Sequence, residues 1–382
     1  MKFGKGWIAC IVLAAQVSVA RQQSAKGPTH VPAGNVAIDR LSKEGEEDRQ
    51  NNKIDEAIAV YKKGVTLKPS WDEGWWFLGT LYYDLDQYTE GRDAFKHLTL
   101  IKPDLSTAWA MLGLCEYQTR DYSTSLKHIR RAVQQGISGD QSISDVVHYH
   151  YAMLLTRNGE FEEAMKTLSL FAQRSLDVPE YVEAMGIASL RKPLLPTEVP
   201  PAEREMILDV GRALYDAAAL KTAVAATELK AAVAKYDAEP NIHYVYGSFL
   251  LFSDVQAGLA ELKKEIARTP SHVPALVTLA SEYLKVQDYK AGLPYAESAV
   301  QADPMSFPAH AVLGRILCEG DIDAPRGVKE LERAKALAPG SPQVHIALAS
   351  AYAKAGRKED AAKERQEFLR ERKLADEANK AQ

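Results

Sequence analysis

The chain has 382 residues, a formal net charge of −4, and 26% charged against 46% hydrophobic residues. That is ample apolar material for a packed interior. The near-balanced charge lacks the basic stripe that nucleic-acid binding requires. Three cysteines in this length are too few for a disulfide-built scaffold.

Residues 1–20 have the composition of an export signal. Lys2 and Lys5 precede a 13-residue apolar stretch, Ile8–Ala20, and Ser18 and Ala20 are small residues suited to cleavage before Arg21. Thirteen residues are short of the roughly 17–25 of a spanning helix, so no stable membrane span is expected after cleavage. Cys10 lies inside the apolar stretch, whereas a lipid-attachment cysteine would follow it. The segment predicts an exported protein, periplasmic or secreted. Residues 21–37 contain Gly and Pro without periodicity and predict a flexible tether.

From Ile38 a helical rhythm sets in. Trp75, Leu78, Gly79 and Tyr82 are spaced W-x2-L-G-x2-Y, which places Trp75, Leu78 and Tyr82 on one helical face. Gly91, Phe95 and Leu98 supply a facing stripe, and Pro103 ends the second helix. The prolines then keep time: Pro69 and Pro103 are 34 residues apart, as are Pro270 and Pro304, and Pro339 follows 35 later. This pattern resembles the tetratricopeptide repeat, a 34-residue pair of antiparallel helices. The resemblance implies an all-α right-handed solenoid, in which each pair buries its apolar faces against its neighbours.

Aligned on that period, a first array spans 38–191. Its units are 38–71, 72–105, 106–139 and about 145–178, with a further helix near 180–191. Lys192–Pro201 (KPLLPTEVPP) carries four prolines from residue 193 on and predicts a linker or hinge between two arrays. The second array spans 202–375. It opens with a degenerate, Ala-rich pair at 202–239 and continues with units from about 240, then 273–306, 307–341 and 342–375. The last helix alternates acid and base as a solvated cap, and 376–382 forms its tail. Cys115 and Cys318 fall in first helices about 200 residues apart and read as buried thiols.

Constellations for chemistry are absent from the pattern. No HExxH, CxxC, phosphate-cradling glycine loop or nucleophile elbow occurs, so no catalytic, cofactor or metal site is expected. His148, His310 and His345 occupy the fourth repeat position, where Trp75 and Trp109 stand elsewhere, and read as packing residues.

What the family resemblance implies is a binding scaffold. Its groove contacts come from first-helix positions 2, 5, 9, 12 and 13, which here place Trp76, Tyr83, Asp84, Tyr117, Gln118, Tyr149 and Arg157 in the first array. In the second array they place Val277, Leu284, Ala311, Arg315, Cys318 and Ile346. The carboxylate clamp of some relatives is missing, since Ser42, Lys43 and Glu46, then Trp76, Phe77 and Thr80, stand at its positions. Aromatic rings with a polar edge suit an interface, although a stripe at this spacing also reads as core. The expected function is a scaffold binding a peptide or helical segment of a protein partner. The alternatives are a subunit, catalytic or not, of an envelope enzyme complex, or a self-assembling solenoid that forms homo-oligomers.

Overall fold

The computed structural model describes residues 33–137 and 140–381, all in helices and their connections. The expected signal segment and most of the tether lie outside these residues. The tether's last residues, 33–37, are helical: α1 runs Ala33–Gln50. No described helix is long and apolar enough to cross a membrane.

Helices then pair along the chain. α2 (Ile54–Leu67) packs on α1, α3 (Asp72–Asp84) on α4 (Tyr88–Ile101), α5 (Ser106–Gln118) on α6 (Tyr122–Gln135), and α7 (Gln141–Arg157) on α8 (Phe161–Gln173). A single helix, α9 (Pro179–Ser189), follows. The second set comprises α10 (Arg204–Ala218) with α11 (Thr222–Lys235), α12 (Ile242–Leu250) with α13 (Val255–Arg268), and α14 (Val273–Lys285) with α15 (Tyr289–Ala302). It closes with α16 (Phe307–Glu319) and α17 (Ala324–Leu337), then α18 (Pro342–Lys354) and α19 (Lys358–Ala381). The chain divides into two compact units between Pro201 and Ala202.

One turn design joins first to second helices. The residue two places beyond the first helix takes a left-handed conformation in nine turns among the described residues: Asn52, Asp86, Arg120, Gly159, Arg191, Leu220, Gln287, Asp321 and Gly356. The next N–H bonds the carbonyl five residues back, as in Gln87 to Tyr82 and Arg357 to Tyr352, both 2.8 Å. This satisfies a carbonyl that the helix end leaves orphaned. The third unit lacks a terminal proline because Gly136, at φ 78°, stops α6 instead.

Residues 192–201 depart from the expected open hinge. Arg191 has the left-handed turn conformation and the Lys192 N–H bonds the Ile187 carbonyl at 3.1 Å, so α9 ends as a first helix does. Where its second helix would start, prolines forbid one. The segment instead forms single 3₁₀ turns at Pro196–Glu198 and Pro201–Glu203, and buries Leu195 and Val199. Apolar burial of i and i+4 side chains turns the expected hinge into a packed half-repeat.

Close approach within pairs fixes the small residues. In α16 a methyl on Gly314 would lie 2.7 Å from the Gly327 carbonyl oxygen and 3.0 Å from the Leu331 nitrogen, both backbone atoms that cannot swing aside. Gly314→Ala is therefore expected to cost about 1–3 kcal/mol through overpacking, read as a fall in the urea midpoint of the second unit.

Candidate protein-binding face

The stacking order decides which face is available. In the second unit α14 packs on α16 and α16 on α18, so these three first helices form one layer, and each second helix packs on its own partner and the next first helix. The layer of successive first helices is therefore the candidate binding face.

The fourth position of those helices is a clasp. Trp75 donates its indole N–H to the Pro69 carbonyl and Trp109 to that of Pro103, both at 2.8 Å. His310 and His345 use Nε2–H on the Pro304 and Pro339 carbonyls, at 3.0 and 2.8 Å, and His243 reaches the Asp237 carbonyl at 3.2 Å. Each bond spans six residues and ties a first helix to the turn that precedes it. The second imidazole nitrogen meets a carboxylate of a neighbouring helix at 2.6 Å: Glu261, Glu330 and Glu364 for His243, His310 and His345. These histidines are packing residues. His148 is different, bonding the Ser144 carbonyl of its own helix at 2.7 Å. His150 bonds the Val146 carbonyl at 2.8 Å, and burial pushes its pKa down to about 4. Among the described residues no three His, Cys, Asp or Glu side chains are grouped to hold a metal. Cys115 and Cys318 are free thiols, both buried, and burial raises both pKa values.

The seven residues expected in the first unit's groove do not form an exposed ladder. Tyr83 and Tyr149 are only 5% and 6% exposed. Tyr83 stands edge-on to Tyr88 at 5.3 Å and Tyr117 edge-on to Tyr122 at 5.5 Å. Position 12 thus closes the turn of its own repeat by packing on the first residue of the second helix. Tyr149 lies between His150 and Tyr181, at 5.5 and 5.6 Å. Burial raises the pKa of all three tyrosines, Tyr83, Tyr117 and Tyr149. Trp76, half-buried, meets Phe95 edge-on at 5.8 Å. Asp84 and Gln118 are exposed; the surrounding protein displaces enough solvent to push the Asp84 carboxyl up to about 6, against the pull of Arg49. Arg157, half-buried, pairs with Glu198 and stacks over Tyr122 at 4.6 Å.

The second unit presents a more open face. Leu284 and Cys318 are buried, but Val277 and Ala311 are only partly so, Ile346 is 45% exposed, and Arg315 is exposed beside Glu319 at 2.7 Å. Tyr122 and Glu198 escaped sequence reasoning. Tyr88 and Tyr122 are 34 residues apart, which was a usable signal for paired rings at one repeat position. Glu198 carried none.

Helix pairs in series joined by a shared turn define an all-α solenoid. Residues 78–140 match the family model described as tetratricopeptide repeat. That stretch carries tetratricopeptide repeats. No curated protein sequence matches it. Among solved structures it is similar to one titled "MamA RS-1 ArsTM double mutant", at 22% identity and TM-score 0.41, covering 45% of this chain and 97% of that one. It is also similar to "MamA 41-end from Desulfovibrio magneticus RS-1", at 22% identity and TM-score 0.40, over 44% and 96% of the two chains. A third, "Crystal structure of MamA protein", has 17% identity and TM-score 0.38 over 53% and 96%. Identities this low do not bring a function across.

Proposed function

We propose that the chain holds a peptide or helical segment of a protein partner on its first-helix layer, and acts by bringing partners together. The observation that carries this reading is Ile346, a β-branched aliphatic residue left 45% exposed in the same layer as the partly open Val277 and Ala311. Apolar groups of this kind suit the anchors of an amphipathic segment, and the exposed Arg315 suits an acidic residue beside them. In the first unit, Trp76, Asp84, Gln118 and Arg157 stay accessible enough to extend the same role, whereas Tyr83 and Tyr149 support the layer from beneath. Export belongs to the same proposal: Lys2, Lys5 and the apolar Ile8–Ala20 support a periplasmic or secreted scaffold.

The test is a photo-crosslinking residue at position 346, with the captured species identified by mass spectrometry. Ile346→Glu should then weaken binding of that species by about tenfold, roughly 1–2 kcal/mol as for an interface anchor. The melting temperature should hardly move, because the side chain is already half in water. Undiminished binding by Ile346→Glu would remove this face from the proposal.

A further inference from the structure

The Pro-rich segment does more than fill space. Its Glu198 carboxylate accepts the Leu195 N–H at 2.9 Å and pairs with Arg157 of α7. The guanidinium of Arg157 lies over the ring of Tyr122, which packs against Tyr117, and Glu198 and Arg157 both act electrostatically on the Tyr117 hydroxyl. Leu195 and Val199, three before and one after Glu198, are 2% and 6% exposed. An aliphatic-acidic peptide in extended and 3₁₀ geometry is therefore seated at the rim of the first unit's first-helix layer. Its carboxylate holds it on a cation stacked on an aromatic ring, with a buried aliphatic residue on either side of that carboxylate in the chain. Both ion-pair partners are still about one-third exposed, 34% for Arg157 and 35% for Glu198. A competing carboxylate can reach the cation.

We infer that Arg157, Tyr117 and Tyr122 form a second peptide site, fitted to an extended acidic segment with flanking aliphatic residues, which residues 195–199 of the chain itself occupy. The site rests on reading the first-helix layer as peptide-binding, but it is built from first-unit residues and does not include Ile346. An external segment of the same chemistry binds by displacing the resident one. A tethered occupant competes at an effective concentration of about millimolar, so the intact chain discriminates against weak ligands.

The experiment uses the full chain and a fluorescently labelled synthetic peptide of residues 192–201, with binding followed by anisotropy. Glu198→Gln removes the resident charge without changing shape and should bind the peptide at least about tenfold more tightly than the unaltered chain. Adding Arg157→Gln to that variant should abolish the gain, as should a peptide with Gln in place of its Glu. Hydrogen exchange on the unaltered chain supplies a readout that needs no variant. Excess peptide should speed exchange at residues 194–199 while α7 stays protected. Equal affinity for the unaltered and Glu198→Gln chains, binding that survives Arg157→Gln, or unchanged exchange at 194–199 would each overturn the site. None of these outcomes bears on position 346, so this proposal and the one above can fail separately.

Discussion

Phe95→Ala should cost the first unit about 3–5 kcal/mol, the usual range for truncating a fully buried aromatic ring. The ring is 0% exposed, and it sits so close to α3 that a methyl on Gly79 would fall 2.8 Å from its tip. Trp76 leans on its edge from the same helix. Alanine would leave a cavity that these two cannot close, since α3 and α4 already pack along their length. In a solenoid each repeat is stabilised mainly by itself and its neighbours, so the damage should be local. Residue-resolved hydrogen exchange should show α3, α4 and α5 losing protection first while α16 to α19 keep theirs. A loss below about 1 kcal/mol would mean that the ring is not the keystone of its repeat, given the 3–5 kcal/mol of an ordinary core truncation.

The repeat period was legible because packing dictates it. Trp75, Gly79, Phe95 and Pro103 stand where a helix pair needs a clasp, a close approach, a filler and a stop, and prolines spaced by 34 residues confirm the unit. The turns were far less legible. Left-handed residues favour glycine, yet only Gly159 and Gly356 of the nine are glycine; Leu220 and Arg191 are there because the turn's hydrogen bonds outweigh a conformational cost of about 1–2 kcal/mol. The groove was misjudged for a geometric reason. Helical periodicity puts positions 5 and 12 on one stripe, but position 12 lies at the turn, where Tyr88 and Tyr122 cover Tyr83 and Tyr117 from the second helix. A single helix's period cannot show what the next helix covers. The prolines at 193–201 likewise excluded an α-helix, while nothing in their spacing showed that Leu195 and Val199 would be buried.

Glu364→Leu should destabilise the second unit by about 3–5 kcal/mol, the cost of breaking a buried charged contact by removing one partner. Glu364 is 5% exposed and its carboxylate accepts from Lys335 Nζ and lies against His345 Nδ1, each at 2.6 Å. His345, 2% exposed, also donates to the Pro339 carbonyl, so one carboxylate on α19 ties together α17, α18 and the turn between them. Leucine fills the volume and leaves His345 facing an apolar group. The pH dependence follows from the same contacts. Burial works to raise the Glu364 pKa, but the hydrogen bonds from Lys335 and His345 outweigh it and the net shift is downward. Glu261 behaves alike, with burial opposed by Lys264 and His243. A carboxyl whose folded pKa lies below its unfolded value of about 4.3 stabilises fully above that pH. The contribution is lost as pH falls through the folded pKa. Asp84 in the first unit has the opposite sign: with its pKa up at about 6, its ionisation as pH rises from 4 to 6 costs the fold stability. The second unit should therefore lose stability as pH falls below about 4.3 in urea titrations followed by hydrogen exchange. Glu364→Gln should flatten that dependence by the share of one proton, while preserving the shape of the side chain. Identical pH slopes for the two proteins would show that the carboxylate is not held in its ionised form by the clasp, and would leave the loss in Glu364→Leu to packing alone.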